Sequence, residues 1–233
     1  IMINLKVLFT GVGRSGTTYS AIWLTQMGIP CGHEAIFTEL GIEEAQKRLL
    51  NPSLISFSQC SENISLWTDP WSIEADSSYL AAPFVNHPFL KNTKIIRLIR
   101  NPLEVISSYV FDAKYFDDNN INEITKPFQE YIKSHLPIVY DNNLSPINRA
   151  ALFYIEWHNL IKQNPNVFDY KIESKPDLLL DHLMLPKNQQ ATIDKKINSW
   201  NHNSRPTLSY DDIAEPYKSN LIEEYQYSRK IFI

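Results

Sequence analysis

Glycine placement is the feature of this chain that most constrains its fold. All six glycines of the 233-residue sequence lie between Gly11 and Gly41, and three of them fall in one short loop at residues 11–18. An apolar, strand-like run at 5–10 precedes this loop, and a helical pattern at 19–24 follows it. Glycine lets backbone N–H groups close around an anion, and the start of a helix adds its dipole. The segment therefore predicts a phosphate-binding strand–loop–helix unit.

The loop departs from the Walker A pattern G-x-x-x-x-G-K-[ST] at one position. Gly11, Gly16 and Thr18 have the right spacing, but Thr17 stands where that pattern has lysine. Nucleotide hydrolases use the lysine on the β- and γ-phosphates, and here the loop's one cation is Arg14. We predict a loop that holds a phosphate but is poorly equipped for γ-phosphoryl chemistry; a ligand-free turn is the alternative. Its predicted binding residues are Gly13, Arg14, Ser15, Gly16, Thr17 and Thr18.

A second segment combines a buried strand with a cation at its end. Residues 94–100 are apolar apart from their basic positions and finish in Arg100, and Pro102 is well placed to open the following helix. Guanidinium groups recognise phosphate through a planar fork of donors. Arg100 and Ser108 are therefore candidates to bind one anion together, although a segment of this kind, taken alone, is more often a capped turn.

Together the two segments resemble the sulfotransferase superfamily. Residues 13–18 are similar to its 5′-phosphosulfate loop, and the pattern from Arg100 to Ser108 is similar to its 3′-phosphate motif. The resemblance implies 3′-phosphoadenosine 5′-phosphosulfate (PAPS) as cofactor, with the bisphosphate PAP as product, and implies no metal. A late loop closes over the cofactor in this superfamily, which makes Ser204 and Arg205 candidates for cofactor contacts. Arginine at position 14 is closer to the tyrosylprotein sulfotransferases and to small microbial members than to cytosolic enzymes, which carry lysine there.

The catalytic base has two candidates. The tetrad at residues 31–34 resembles the Cys-Gly-acid-Glu tetrad of tyrosylprotein sulfotransferases, whose last glutamate is the base, and Glu34 matches it. His33 replaces the acidic residue of that tetrad, so it either orients Glu34 or is a plain polar loop residue. Asp76 lies where cytosolic sulfotransferases have a catalytic histidine, but its position before a predicted helix favours an N-cap. The proposed catalytic residues are Glu34 and Arg14.

The order of apolar segments predicts an α/β fold. Strands are expected near 5–10, 29–31, 64–68, 94–99 and 167–172, and helices near 17–27, 41–50, 78–90, 102–115, 147–163 and 217–230. This alternation predicts a P-loop-type, mostly parallel sheet flanked by helices, with ligands at the carboxyl ends of the strands. We expect a single sulfotransferase-like domain over residues 1–233. The polar, asparagine-rich segment 112–146 is expected to be a mobile lid; a plain surface excursion is the alternative.

Net charge, apolar content and cysteine number limit the kinds of partner and compartment that are expected for this chain. The net charge of −4 argues against non-specific binding to nucleic acids or membranes, so local cations must meet an anionic cofactor. No apolar run approaches the ~20 residues that a membrane span needs. Cys31 and Cys60 form no disulfide framework, which is typical of a cytoplasmic protein. The sequence does not indicate the class of the hydroxyl acceptor or the oligomeric state.

Three functions follow from these patterns. The first is sulfuryl transfer from PAPS to a hydroxyl acceptor by in-line displacement. The second is a P-loop kinase, which would need a Walker B strand for which residues 66–69 are the only weak candidate. The third is a non-catalytic module that binds the nucleotide, which the presence of Glu34 and Arg14 disfavours.

Overall fold

A fully parallel sheet is the framework of the described part of the protein. The computed structural model describes residues 3–55, 70–123, 125–186 and 206–230. Within them, five strands pair in the order β2-β3-β1-β4-β5, and every pair is parallel. The strands are β1 Val7–Gly11, β2 Cys31–His33, β3 Ala75–Ser77, β4 Lys94–Ile99 and β5 Phe168–Lys171. The predicted α/β class is confirmed.

Four of the five predicted strands overlap strands of the structure, although β2 begins two residues later than expected. The segment expected at 64–68 lies outside the described residues, and β3 is formed by Ala75–Ser77. This three-residue strand pairs with both β1 and β2. Its sequence, Ala-Asp-Ser, has an aspartate at its centre and no β-branched residue, so strand propensity gives no signal for it.

Helices cover the sheet, and most lie where the sequence predicts them. Their bounds are α1 Thr17–Gln26, α2 Ile42–Leu50, α3 Pro102–Ser107, α4 Thr125–His135, α5 Pro146–Lys162, α6 Asp177–Leu183 and α7 Tyr217–Lys230. The helix expected at 78–90 is instead two 3₁₀ segments, Tyr79–Phe84 and Pro88–Leu90. Two prolines in that stretch remove backbone N–H donors, which breaks an α-helix. Helices α4 and α6 were not predicted.

The two faces of the sheet are buried under separate layers of helices. Along β1, Val7 and Phe9 pack in one apolar cluster, whereas Leu8 packs in the other. Successive strand side chains point to opposite faces, so this alternation shows that both faces are covered. The smaller cluster includes the apolar side of α1, and the larger includes most of α5.

The segment 112–146 contributes to the larger core. Phe116 is fully buried, and Phe128 and Ile132 on α4 lie in the same cluster. The Tyr115 and Phe128 rings stack with 4.3 Å between their centroids. These contacts anchor the segment to the domain through aromatic packing. Its movement as a lid stays a prediction.

A buried ion network fastens the C-terminal helix to the sheet. The Arg97 guanidinium on β4 donates two hydrogen bonds to the Asp169 carboxylate on β5, and its Nη1 donates to Glu224 on α7 over 2.6 Å. Lys162 on α5 also pairs with Glu224. Because Arg97 is almost fully buried, these pairs satisfy a charge that would be costly alone. The network therefore links β4 and β5 to α5 and α7.

Candidate active site

The glycine loop lies at the carboxyl end of β1, the central strand, and leads into α1. Two glycines have a clear steric reason. A Cβ on Gly13 would lie 2.3 Å from Tyr109 Oη and 3.3 Å from the Tyr79 ring. Gly16 caps α1 with a left-handed φ of 93°, a conformation that favours glycine. The loop is therefore packed tightly against the Tyr79 and Tyr109 side chains, which form the aromatic floor of the site.

The start of α1 fits an anion. Its cap, Gly16, has no side chain to accept from the first backbone N–H groups, and the first turn carries no acidic residue. Such a helix end offers N–H donors and a positive dipole. The Ser15 hydroxyl is also buried in the loop without a hydrogen-bond partner among the described residues. Donors and an orphaned hydroxyl are the groups that a bound phosphate or sulfonate satisfies.

Arg14 joins this loop to the second motif. Its backbone has a φ of 69°, an uncommon value for a residue with a Cβ. The Nε of Arg14 donates to Ser108 Oγ over 2.8 Å, and a terminal nitrogen lies 3.9 Å from the Asp112 carboxylate. About half of the side chain is exposed. The guanidinium of this loop residue thus reaches the second motif, where it contacts Ser108 and Asp112.

Arg100 completes the connection. It lies just after β4, and its Nη1 donates to the backbone carbonyl oxygen of Arg14 over 3.1 Å. Its Nε and Nη2 both donate to Glu104 on α3. The two motifs that the sequence assigns to separate phosphates are therefore adjacent. They meet because β1 and β4 are neighbouring parallel strands that end at the same edge of the sheet.

Ser108 begins a π-helical segment, Ser108–Ala113, in which α3 continues. Single π-turns within helices are frequently found at functional sites. Its hydroxyl accepts from Arg14 and donates to Asp112 over 3.3 Å. The sequence predicts a continuous helix at 102–115, so the change of helical type is a finding of the structure. It places Ser108, Tyr109 and Asp112 around the glycine loop.

Glu34 follows β2 at the same edge of the sheet. Its φ of 54° is left-handed, as is that of Arg14. Strained backbone of this kind is concentrated at functional sites. Burial, then the nearby carboxylates of Asp76 and Glu39, raise the pKa of Glu34 from 4.5 to about 7. A carboxyl group that titrates near neutral pH is well matched to general-base catalysis.

His33 connects Glu34 with the glycine loop. Its Nε2 lies 3.2 Å from Thr17 Oγ1 and 3.1 Å from Thr18 Oγ1, within hydrogen-bond distance of both hydroxyls. The same nitrogen is 3.7 Å from Glu34 Oε1. His33 therefore touches the candidate base and the start of α1 at once. An orienting role for His33 toward Glu34 stays a prediction.

Asp76 does not cap a helix, and the prediction of an N-cap is wrong. It lies within β3, fully buried, and its carboxylate accepts from the backbone N–H groups of Ala35, Ile36 and Phe37. The cap of the following 3₁₀ segment is Ser78, whose Oγ accepts from the N–H of Leu80. The sequence placed the helix start correctly but assigned its cap two residues too early.

Two tyrosines at this edge were not identified from sequence. Tyr79 and Tyr109 form the floor beneath Gly13. The position of Tyr109 directly after Ser108 was a usable signal, because the second motif singles out Ser108, whereas Tyr79 had no such signal. Glu173, after β5, accepts from the Asn101 N–H over 2.8 Å. The two late-loop candidates, Ser204 and Arg205, lie outside the described residues.

Comparisons with known proteins give no family for this chain. No protein-family model matches it, and no curated protein matches it. None of the helices in the described ranges combines the length and apolarity that crossing a membrane requires. Among the same residues, no group of three or more His, Cys, Asp or Glu side chains is arranged to hold a metal ion. Functional inference therefore depends on the geometry of the site.

Proposed function

We propose that this protein is a PAPS-dependent sulfotransferase that transfers a sulfuryl group to a hydroxyl acceptor. The observation that carries the proposal is the Arg14–Ser108 hydrogen bond of 2.8 Å, because it brings the two anion-binding motifs together. Arg100 contacts the same loop through the Arg14 carbonyl oxygen. A site with two adjacent anion cradles suits a nucleotide that carries phosphate at both its 5′ and 3′ positions.

Each part of the site has a distinct task in this proposal. The bound PAPS supplies an activated sulfuryl group on its 5′-phosphate. The N–H groups at the start of α1, with the Thr17 and Thr18 hydroxyls, hold the 5′ end, and Arg100 with Ser108 holds the 3′-phosphate. Arg14 stabilises the negative charge that grows on the leaving phosphate oxygen. Glu34 accepts the proton that the acceptor hydroxyl loses.

Ligand choice tests the proposal directly. The adenosine 3′,5′-bisphosphate should bind roughly 10- to 100-fold more tightly than AMP, since each charge-assisted phosphate contact contributes ~1.5–3 kcal/mol. ATP should also bind more weakly than the bisphosphate, and magnesium should not be required. Isothermal titration calorimetry with the three nucleotides, with and without magnesium, measures this. Equal affinities, or magnesium-dependent ATP binding, would contradict the assignment and favour a kinase.

The pH dependence of the reaction follows from the raised pKa of Glu34. A base must be ionised to accept a proton, so activity should increase as pH rises through the Glu34 pKa of about 7. We expect kcat/KM for sulfuryl transfer to rise roughly tenfold per pH unit below the midpoint, and to level off above it. The measurement is a pH–rate profile with any accepted hydroxyl substrate. A profile that is already flat at pH 5 would remove Glu34 as the base.

A further inference from the structure

The buried carboxylate of Asp76 is bonded to the turn that presents Glu34. Its Oδ1 accepts from the Ala35 N–H, and its Oδ2 accepts from the N–H groups of Ile36 and Phe37, each over 3.1 Å. These are the three residues that follow Glu34 in the chain. An ionised carboxylate that accepts several backbone N–H bonds is a strong and directional anchor.

Close packing around Gly32 shows how tightly this anchor is fitted. Gly32 on β2 is paired in register with Asp76 on β3. A Cβ on Gly32 would lie 2.8 Å from Asp76 Oδ1 and 2.5 Å from the Ala35 Cβ. Only glycine leaves room for the carboxylate to reach the turn. The turn then holds Glu34 at a φ of 54°, which the surrounding structure must enforce.

The residues after Asp76 tie down the same part of the molecule. Ser77 Oγ donates to the carbonyl oxygen of Thr17 at the start of α1 over 2.8 Å. Ser78 Oγ donates to the carbonyl oxygen of Phe37 over 3.0 Å. The end of β3 thus fixes both the glycine-loop helix and the Glu34 turn. Among these tethers, the one from Asp76 is the one that carries a charge.

We propose that Asp76 is a positioning residue for Glu34. It fixes the turn that carries Glu34 and places a negative charge close to the Glu34 carboxyl group. The role in catalysis rests on the proposed function, whereas the effect on Glu34 itself does not. The proposal separates Asp76 from the reacting atoms. Its carboxylate oxygens are already bonded to three backbone N–H groups and are fully buried, so they are not available to an acceptor.

The charges around Glu34 agree with this role. The groups that face it are Asp76 on β3, Glu39 after its own turn, His33 on β2, Tyr79 and Tyr109. Burial raises the pKa of Asp76 to about 6, although its backbone hydrogen bonds act in the opposite direction. At pH 7 the Asp76 carboxylate is therefore ionised, and its charge makes Glu34 retain a proton to higher pH. A base with a raised pKa is a stronger proton acceptor once it is ionised.

The hydrogen bonds between Asp76 and the Glu34 turn can be tested in the wild-type protein without any substrate. The amide protons of Ala35, Ile36 and Phe37 should be protected from hydrogen exchange. Their chemical shifts should change together as Asp76 titrates near its pKa of about 6. Proton–nitrogen NMR across pH 4–8 (an interval that roughly brackets a perturbed carboxyl titration) measures both. Rapid exchange of these amides, or shifts that do not follow a common midpoint, would overturn the proposal.

Two variants test whether the charge of Asp76 raises the pKa of Glu34. In Asp76→Asn the negative charge is lost and one acceptor oxygen remains, so at most two of the three hydrogen bonds persist. The Glu34 carboxyl carbon, followed by carbon-13 NMR and assigned by its absence in Glu34→Gln, should then titrate at lower pH than in wild type. Ser78→Ala removes an uncharged tether to the same turn, and should leave the Glu34 midpoint unchanged. An unchanged midpoint in Asp76→Asn, or an equal shift in Ser78→Ala, would contradict the proposal.

Activity measurements complete the test and separate the proposed function from the effect of Asp76 on Glu34. Asp76→Asn should lower kcat ~10-fold, since a misplaced base loses rate, with bisphosphate affinity near wild type. The ascending limb of its pH–rate profile should move to lower pH together with the Glu34 midpoint. If wild type binds no bisphosphate and transfers no sulfuryl group while the NMR results hold, the proposed function fails and the effect of Asp76 on Glu34 stands. Normal kcat in a well-folded Asp76→Asn with a lowered Glu34 midpoint would refute positioning.

Discussion

Replacing Glu34 with glutamine is expected to lower the turnover of sulfuryl transfer by ~10²–10⁴-fold, the usual contribution of a positioned base. Glutamine keeps the size of the side chain but has no basicity at neutral pH. Bisphosphate affinity should stay near wild type, because the arginines and the start of α1 are the groups assigned to the phosphates. The measurement pairs kcat at saturating PAPS with calorimetric titration of the bisphosphate.

Glu39→Gln is the matched control for this variant. It makes the same chemical change five positions later in the chain, on an exposed residue whose charge also raises the pKa of Glu34. Its turnover should remain close to wild type. A normal rate in Glu34→Gln, together with complete loss of activity in a well-folded Asp76→Asn, would show that the base lies on β3. The cytosolic sulfotransferases would then be the closer resemblance.

Stability gives an independent check on Glu34. Its pKa is raised by folding from 4.5 to about 7, so the folded state binds the proton more tightly than the unfolded chain does. The contribution of Glu34 to the free energy of unfolding therefore decreases as pH rises from about 4.5 toward 7, and this contribution is fully lost above that range. Glutamine does not titrate. Glu34→Gln should consequently gain stability relative to wild type at pH 8 compared with pH 4, as measured by urea denaturation.

The parts of the site that the sequence predicted are those with local patterns. The glycines of the loop between β1 and α1 form a contiguous sequence pattern, and the left-handed φ of Gly16 is a local requirement. The contacts that require Gly13 come from the distant Tyr79 and Tyr109 and were not predictable. The turn after β4 combines Arg100 with a proline at the first position of α3. A parallel sheet then brings the ends of both strands to one edge, whatever the strand order. For this reason, the sequence was enough to infer the fold class and the closeness of the two motifs to each other.

The role of Asp76 could not be predicted because its partners are distant in sequence. An aspartate shortly before a helical pattern is a good N-cap candidate on local grounds. The hydrogen bonds from Ala35, Ile36 and Phe37 bridge about forty residues and exist only because β2 and β3 pair in one register. The left-handed backbone of Glu34 has the same origin. Tertiary contacts override local propensity at these positions, and they do so next to the candidate base.

The direct contact between Arg14 and Ser108 is a further result that spacing alone does not give. The resemblance assigns Arg14 to the 5′ end of the nucleotide and Ser108 to the 3′-phosphate, but these side chains are hydrogen-bonded to each other. One guanidinium therefore joins the two motifs directly. If the proposed bisphosphate nucleotide binds here, Arg14 would be close to both of its ends, and we expect its substitution to have a broader effect than that of Arg100.

Arg14→Ala should lose far more turnover than affinity, with kcat falling by ~10²–10³-fold, as observed when a donor to developing charge is removed. Arg100→Ala should mainly weaken nucleotide binding, by roughly 10- to 100-fold, with kcat at saturation largely retained. The difference arises because only interactions that strengthen in the transition state raise the chemical rate. Calorimetric Kd values and kcat at saturating PAPS separate the two effects.

Arg14→Lys distinguishes charge from geometry at this position. Lysine keeps the positive charge but has no Nε–H group to donate to Ser108, and it lacks the planar fork of guanidinium. If charge on the leaving oxygen is what Arg14 stabilises, the lysine variant should recover part of the turnover that alanine loses. Its bisphosphate affinity should stay below wild type, because the bond that joins the two cradles is missing. If Arg14→Ala lost affinity alone, with unchanged kcat at saturation, Arg14 would have a role in binding only. The N–H groups at the start of α1 would then be the groups that stabilise charge on the leaving oxygen.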